Sequence, residues 1–148
     1  MNKTVVIIGG STGIGKALVE KAAKEGCHVV CFSRSLDLMD RSFSSYSNVH
    51  SYHLDLESVN KHEFVSALKN HVSIDILINN AGYLVNKPFH ELTKNDLNKS
   101  YQINSAGIME VTQYTLPYLN KDSSHIVNIS SMGGFQGSAK FAGLTAYS

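Results

Sequence analysis

Gly9, Gly13 and Gly15 stand at G-x-x-x-G-x-G spacing, with Ser11 and Thr12 between the first two, directly after four β-branched residues, Val5-Val6-Ile7-Ile8. Glycines suit a turn that bends sharply and brings its backbone against a ligand, where a Cβ would collide. From Gly13 onward Ile14, Leu18 and Ala22 recur every four residues, a helical period. The amides and positive dipole end of that helix suit a diphosphate. A ligand-free strand-to-helix turn is the alternative, and the strand before with the helix after favours a dinucleotide. Ser33-Arg34 is the second chemical position, at the end of the apolar run His28–Phe32. An acidic residue there grips a ribose diol, whereas a cation accommodates the 2′-phosphate of NADP. Arg34 on the phosphate with the Ser33 hydroxyl beside it therefore favours NADP over NAD. Asp37 is the counter-candidate, three residues beyond Arg34 at a place typical of a helix N-terminus, and a solvated loop charge is the bland reading of Arg34.

Rigid elements must hold these groups. Val5–Ile8 has no alternation between apolar and polar residues and reads as a strand buried on both faces. A helix is expected from Gly13 to Glu25, ended by Gly26. Further strands are expected at 28–32, 49–54, 75–78 and 125–129. Between them lie a helix capped by Ser58 with Phe64, Val65, Leu68 and Val72 on its apolar face, and a long helix over 97–120 interrupted late by Pro117. Thr93 is expected to cap the helical region preceding it, with Asp96 in a capping-box position. Strand and helix alternate throughout, which argues for βαβ units in a doubly wound parallel α/β sheet of Rossmann type. Polar groups gather at the strand ends: Asp55, then Asn79-Asn80-Ala81-Gly82, then Ser130 and Ser131. Those ends are where such sheets take ligands.

The 148 residues are 43% hydrophobic, enough for one core, and no linker divides residues 1–148 into two domains. Thirteen basic against twelve acidic residues leave a formal charge of +1, so neither nucleic acid nor an anionic membrane is implied. The apolar start is too short for a signal peptide or a spanning helix. Cys27 and Cys31 fit a reduced cytoplasmic protein, with a metal pair the lesser reading.

Taken together, Gly9-x-x-x-Gly13-Ile14-Gly15, Asp55, Asn79-Asn80-Ala81-Gly82, Asn104, Ile126-Val127-Asn128-Ile129-Ser130-Ser131 and Tyr147 resemble, in order and spacing, a short-chain dehydrogenase/reductase along the whole chain. Ile8 departs from the threonine usual before the first glycine. The resemblance implies that Gly9, Gly13 and Gly15 hold the diphosphate with Ile14 behind it. Asp55 and Leu56 would meet the adenine, and Asn80, Ala81 and Gly82 would line the inner ribose, leaving Asn79 to tie strands together. It implies Ser131, in a Ser-x-x-Gly pattern with Gly134, as the hydrogen-bond donor to the substrate oxygen. Tyr147 would be the general acid and Asn104 the holder of a proton-relay water.

A free tyrosine titrates near pKa ~10, and bringing it to neutrality takes roughly 4 kcal/mol of preferential phenolate stabilisation. In the family a lysine four residues after the tyrosine supplies much of this. That position falls past Ser148, so the expectation is a Rossmann-type domain incomplete at its C-terminal side and part of a longer enzyme. The implied activity is hydride transfer between NADP(H) and a small carbonyl or secondary alcohol. The alternative is a truncated, non-catalytic dinucleotide-binding module. Homo-oligomerisation is left open, as is the substrate.

Overall fold

A run of β-branched residues favours an extended chain and leaves no polar face for water. In the computed structural model, which describes residues 3–71 and 73–131, this run forms β1 (Thr4–Ile8), whose last four residues are buried. It lies at the centre of a five-stranded sheet ordered β3-β2-β1-β4-β5, with β2 at His28–Ser33, β3 at Val49–His53, β4 at Ile76–Asn79 and β5 at His125–Asn128. All four pairings are parallel. This is the doubly wound order in which neighbouring loops at the C-terminal strand ends form a crevice.

Strand alternation sorts the core into two layers. Val5, Ile7, Val29 and Cys31 face α1 (Gly13–Lys24) and α2 (Leu36–Phe43), packing on Val19, Ala23, Met39 and Phe43. Val6, Ile8, Val30 and Phe32 face the other way, toward Phe64 and Leu68 of α3 (Lys61–Lys69) and Val111 of α5 (Gly107–Thr115). Cys31 lies 3.2 Å from the Met39 sulfur, and burial pushes its thiol up to about 12.

Local signals explain most element boundaries. Helix α1 stops one residue before expected, and Gly26 follows it at φ +80. Ser58 does not cap α3. Its amide donates to the Asp55 carbonyl within the turn after β3, and Asn60 takes the cap, accepting from the amides of His62 and Glu63. Thr93 and Asp96 form the expected reciprocal capping box at the start of α4 (Lys94–Tyr101). The Thr93 amide and hydroxyl, with Lys87, hold the Asp96 carboxyl down to about 2.

The long helix over 97–120 is not continuous. A π-helical segment at Gln102–Ala106 separates α4 from α5, and Pro117 sits in a 3-10 turn, Leu116–Tyr118, after α5 has ended. Among the described residues no helix is long and apolar enough to cross a membrane. Val72 lies outside the described residues, as do Gly134 and Tyr147.

Candidate dinucleotide and active site

The turn after β1 is locked to both neighbouring strands by backbone bonds. Gly9 donates to the Phe32 carbonyl at 2.7 Å, while the Ile8 carbonyl accepts from the amides of Asn80 at 3.0 Å and Ala81 at 2.8 Å. The Asn80 side-chain amide closes the lock by donating to the Gly9 carbonyl at 2.8 Å. Such proximity leaves no room for side chains. Gly9 has φ +89, and a Cβ there would stand 2.6 Å from the backbone of Ala81; one on Gly15 would strike the Gly9 carbonyl.

This lock aims the start of α1 past the end of β1. Thr12 occupies the N-cap position with extended backbone, but its side chain makes no capping bond and the first turn carries no acidic residue. The first-turn amides and the dipole are thus left for an external anion. Gly13 at φ +54 has nothing within 4 Å of its Cβ position, and Ile14 is 63% exposed. Backbone close to open space, with no internal cap, is the arrangement a diphosphate needs.

Beside this turn lies a cleft of about 220 Å³. It brings together ten of the residues singled out from sequence: Gly9, Ser11, Thr12, Ser33, Arg34, Asp55, Leu56, Asn80, Ala81 and Gly82. Ser33 donates to the Ser11 hydroxyl at 2.8 Å, joining the end of β2 to the glycine turn. Arg34 lines both the cleft and an adjoining shallow hollow, whereas Asp37, in the first turn of α2, lines only the hollow. Gly13, Ile14 and Gly15 are not part of the cleft wall. They form the helix start next to it.

Sequence reasoning missed the cleft's apolar wall of Ile8, Phe32, Leu54 and Ile103. It also missed what braces the loop carrying Asp55 and Leu56. Gln102 donates to the Leu56 carbonyl at 3.3 Å, a Cβ on Gly107 would meet that same carbonyl at 2.5 Å, and Lys99 pairs with Glu57 at 2.7 Å. The Lys99 ammonium also stands 5.3 Å over the Tyr83 ring, so it links the loop after β3 to the loop after β4, and the bond to Glu57 holds its pKa up. The detectable signal was Gly107, a glycine inside a helical run where alanine is the better helix former.

Asn104 projects from the π-helical segment. Its oxygen accepts from the Tyr83 amide at 2.7 Å and its nitrogen donates to the Tyr83 carbonyl at 2.9 Å. An inserted residue of this kind re-aims the side chains around it, and here it docks the helix on the loop after β4. Asn104 lines a second cavity of about 470 Å³ together with Asn79, Ala81, Thr112, Asn128 and Ser130. Asn79 donates to Thr112 at 3.1 Å and to Asn128 at 2.7 Å, tying β4 to α5 and β5. Ser131 is the last described residue and is exposed, and Tyr147 lies outside the described residues. Ala81 belongs to both cavities, so the two adjoin.

The sequence matches the short chain dehydrogenase family over residues 3–148. The chain belongs to this family. Among its relatives, the oxidoreductase YvrD of Bacillus subtilis is 32% identical over 137 residues, covering 89% of this chain and 52% of its own. The 3-amino-tetrahydro-pyrrolizinone reductase of Xenorhabdus hominickii is 33% identical over 133 residues, covering 87% and 46%. The chain therefore spans about half the length of the curated relatives it matches. A short-chain dehydrogenase from Streptomyces avermitilis superposes with a TM-score of 0.84 at 28% identity, over 99% of this chain and 54% of that one. ElxO with NADP bound gives 0.82 at 30% identity, over 99% and 61%. The family is one of oxidoreductases that bind a nicotinamide dinucleotide, and ElxO holds NADP. The uncapped helix start, the Cβ-intolerant turn and the adjoining cleft fit that cofactor.

Proposed function

We propose that this chain is the dinucleotide-binding part, with some of the catalytic groups, of an NADP-dependent oxidoreductase acting on a small carbonyl or secondary alcohol. The supporting observation is the junction at Ala81 between a cleft rimmed by Ser11, Ser33 and Arg34 and a cavity lined by Asn104 and Ser130. Amides of Gly13, Ile14 and Gly15 receive the diphosphate, Leu56 and Ile103 face the adenine, and Asn80 to Gly82 border the ribose. With no carboxylate at the end of β2 and a guanidinium there instead, the 2′-phosphate of NADP is favoured over a bare diol. ElxO with bound NADP is a neighbour of the same fold.

When bound, the nicotinamide gives or takes the hydride. Ser131 hydrogen-bonds the substrate oxygen and withdraws charge from the carbonyl, and Tyr147 holds the exchangeable proton at its phenol oxygen. Asn104 spends one N–H and one lone pair on the Tyr83 backbone, which leaves one N–H and one lone pair to hold a water in a proton relay.

The test is titration of NADPH and NADH into wild type and Arg34→Ala. Loss of a charge-assisted bond predicts NADPH binding weaker by about 1.5–3 kcal/mol, on the order of 10- to 150-fold, with NADH nearly unchanged. Equal losses for both would remove Arg34 as the 2′-phosphate reader. Failure of the wild-type protein to bind either nucleotide would remove the dinucleotide reading.

A further inference from the structure

Three histidines meet at the opposite, N-terminal end of the sheet, away from the cleft. His28 begins β2 and, by strand alternation, shares a face with Val30 and Phe32, while His50 and Tyr52 lie on the same face of β3, opposite Val30 and Phe32. His71, 7% exposed, follows the C-terminal end of α3 and enters between them. Ring centroids are 4.6 Å apart for His28 and His50, 4.8 Å for His28 and His71, and 5.0 Å for His50 and His71. His71 is bonded on both nitrogens: Nδ1 to His28 Nε2 at 2.6 Å and Nε2 to the Tyr52 hydroxyl at 3.0 Å.

We propose that this cluster is an acid-sensitive latch, closed while the imidazoles are neutral, which fastens the end of α3 to β2 and β3 and lets go on acidification.

The chemistry of the bond sets its behaviour. A neutral pair is satisfied because one ring donates and the other accepts. A single proton can be held as N–H⁺···N. A second proton faces N–H with N–H across 2.6 Å, and the bond cannot survive. Just before β1, Lys3 accepts the His28 amide on its carbonyl and is itself cationic; α3 contributes Lys69 at its last turn, and β3 contributes His50 and the Tyr52 hydroxyl. The Asp75 carboxylate, just before β4, is spent on the Thr4 amide and Asn120. Among the described residues no carboxylate pairs with His28, His50 or His71. Nor does any group of three or more His, Cys, Asp or Glu side chains there suit a metal ion, so a cation does not explain the cluster.

Burial and the neighbouring imidazoles act in one direction. Burial, then His28 and His50, hold His71 down from 6.5 to about 4, and burial with His50 lowers His28. A folded-state pKa below the unfolded value means that the unfolded or opened state binds more protons. The stability is then full above about 6.5 and is lost as pH falls toward 4. For His71 the opening constant should rise on the order of 100-fold across that window.

The test is an NMR titration of the full chain with isotopically labelled histidine, together with amide exchange corrected for its intrinsic pH dependence. The expected result is that His71 remains neutral below pH 6, with exchange at residues 65–71 and in β3 accelerating between pH 6 and pH 4.5. In His50→Gln, which leaves the His28–His71 bond in place, His71 should titrate higher and the acceleration should shrink. His71 titrating like a free histidine, or exchange at the end of α3 independent of pH, would overturn the latch, whether or not the protein binds a nucleotide.

Discussion

Gly15→Ala separates the two roles of a glycine at a helix start by the sign of its effect. Alanine in a helix is more favourable than glycine by about 1 kcal/mol, so if α1 merely began near the turn, the substitution would stabilise the protein. The surroundings dictate otherwise. An added methyl would land on the carbonyl oxygen of Gly9 and stand 2.5 Å from Asn80 Nδ2 and 2.9 Å from the Gly9 carbonyl carbon. Two of these three atoms are backbone, and they are fixed by Gly9 bonding Phe32 and by Asn80 bonding Ile8. Helix α1 must therefore retreat. Overpacking of this kind costs about 1–3 kcal/mol, and loss of the bond from Asn80 to Gly9 adds about 1 kcal/mol. After subtracting the helix-propensity gain, the net expectation is a loss of about 1–3 kcal/mol. Urea unfolding followed by circular dichroism reads it as a lower midpoint at unchanged slope. NADPH affinity should fall more than tenfold, because the retreat carries the amides of residues 13–15 away from the diphosphate position. A variant as stable as wild type or more so, with intact NADPH binding, would refute the claim that close packing selects glycine here.

Two further substitutions probe the scaffold. Asn79→Ala removes both donors that tie β4 to Thr112 and Asn128. A loss of about 2 kcal/mol is expected, measured by thermal or urea unfolding, and a change under 0.5 kcal/mol would mean that the tie is dispensable. Thr93→Ala breaks the capping box and should cost about 1 kcal/mol at neutral pH. The Asp96 carboxyl is depressed to about 2 in the folded state, chiefly by Thr93. Its stabilisation is therefore present above the ordinary carboxylate pKa and is lost as pH falls through about 2. In Thr93→Ala the carboxyl should titrate closer to its ordinary value in a carboxylate-resolved NMR titration, and an unmoved titration would place the cause elsewhere.

What could be read from the chain depended on whether one local signal set the outcome. The β-branched run, the glycine turn and the Thr93/Asp96 spacing act within a few residues, and each appears as expected. Ser58 and Asn60 show the limit of that approach. Both can cap a helix, and the choice was made by the turn after β3, which takes the Ser58 amide for the Asp55 carbonyl. The break in the long helix was hidden for a similar reason. Nothing between Gln102 and Ala106 is a helix breaker, and Pro117 marks only the late end of the stretch. The π-helical segment accompanies contacts to chain far away in sequence: Asn104 on Tyr83, Gln102 and Gly107 on Leu56. The apolar wall of the cleft was equally non-local, since Ile103 and Phe32 meet only after two crossovers.

The same non-local contacts explain why the two cavities stay in register. The loop after β4 is held below by Asn80 on Gly9 and above by Asn104 on Tyr83. Residues 80–83 are thus pinned at one end to the glycine turn and at the other to the π-helical segment. Lys99, one helical turn before Ile103, adds a link to Glu57 in the loop after β3. Exposed ion pairs contribute little to stability, usually under about 1 kcal/mol, so this link matters for position more than for holding the fold. A displacement of α4 must shift both the loop carrying Leu56 and Glu57 and the segment between the cavities, because the same helical stretch carries Lys99, Gln102 and Asn104. That shared attachment ties the geometry of the first cavity to that of the second.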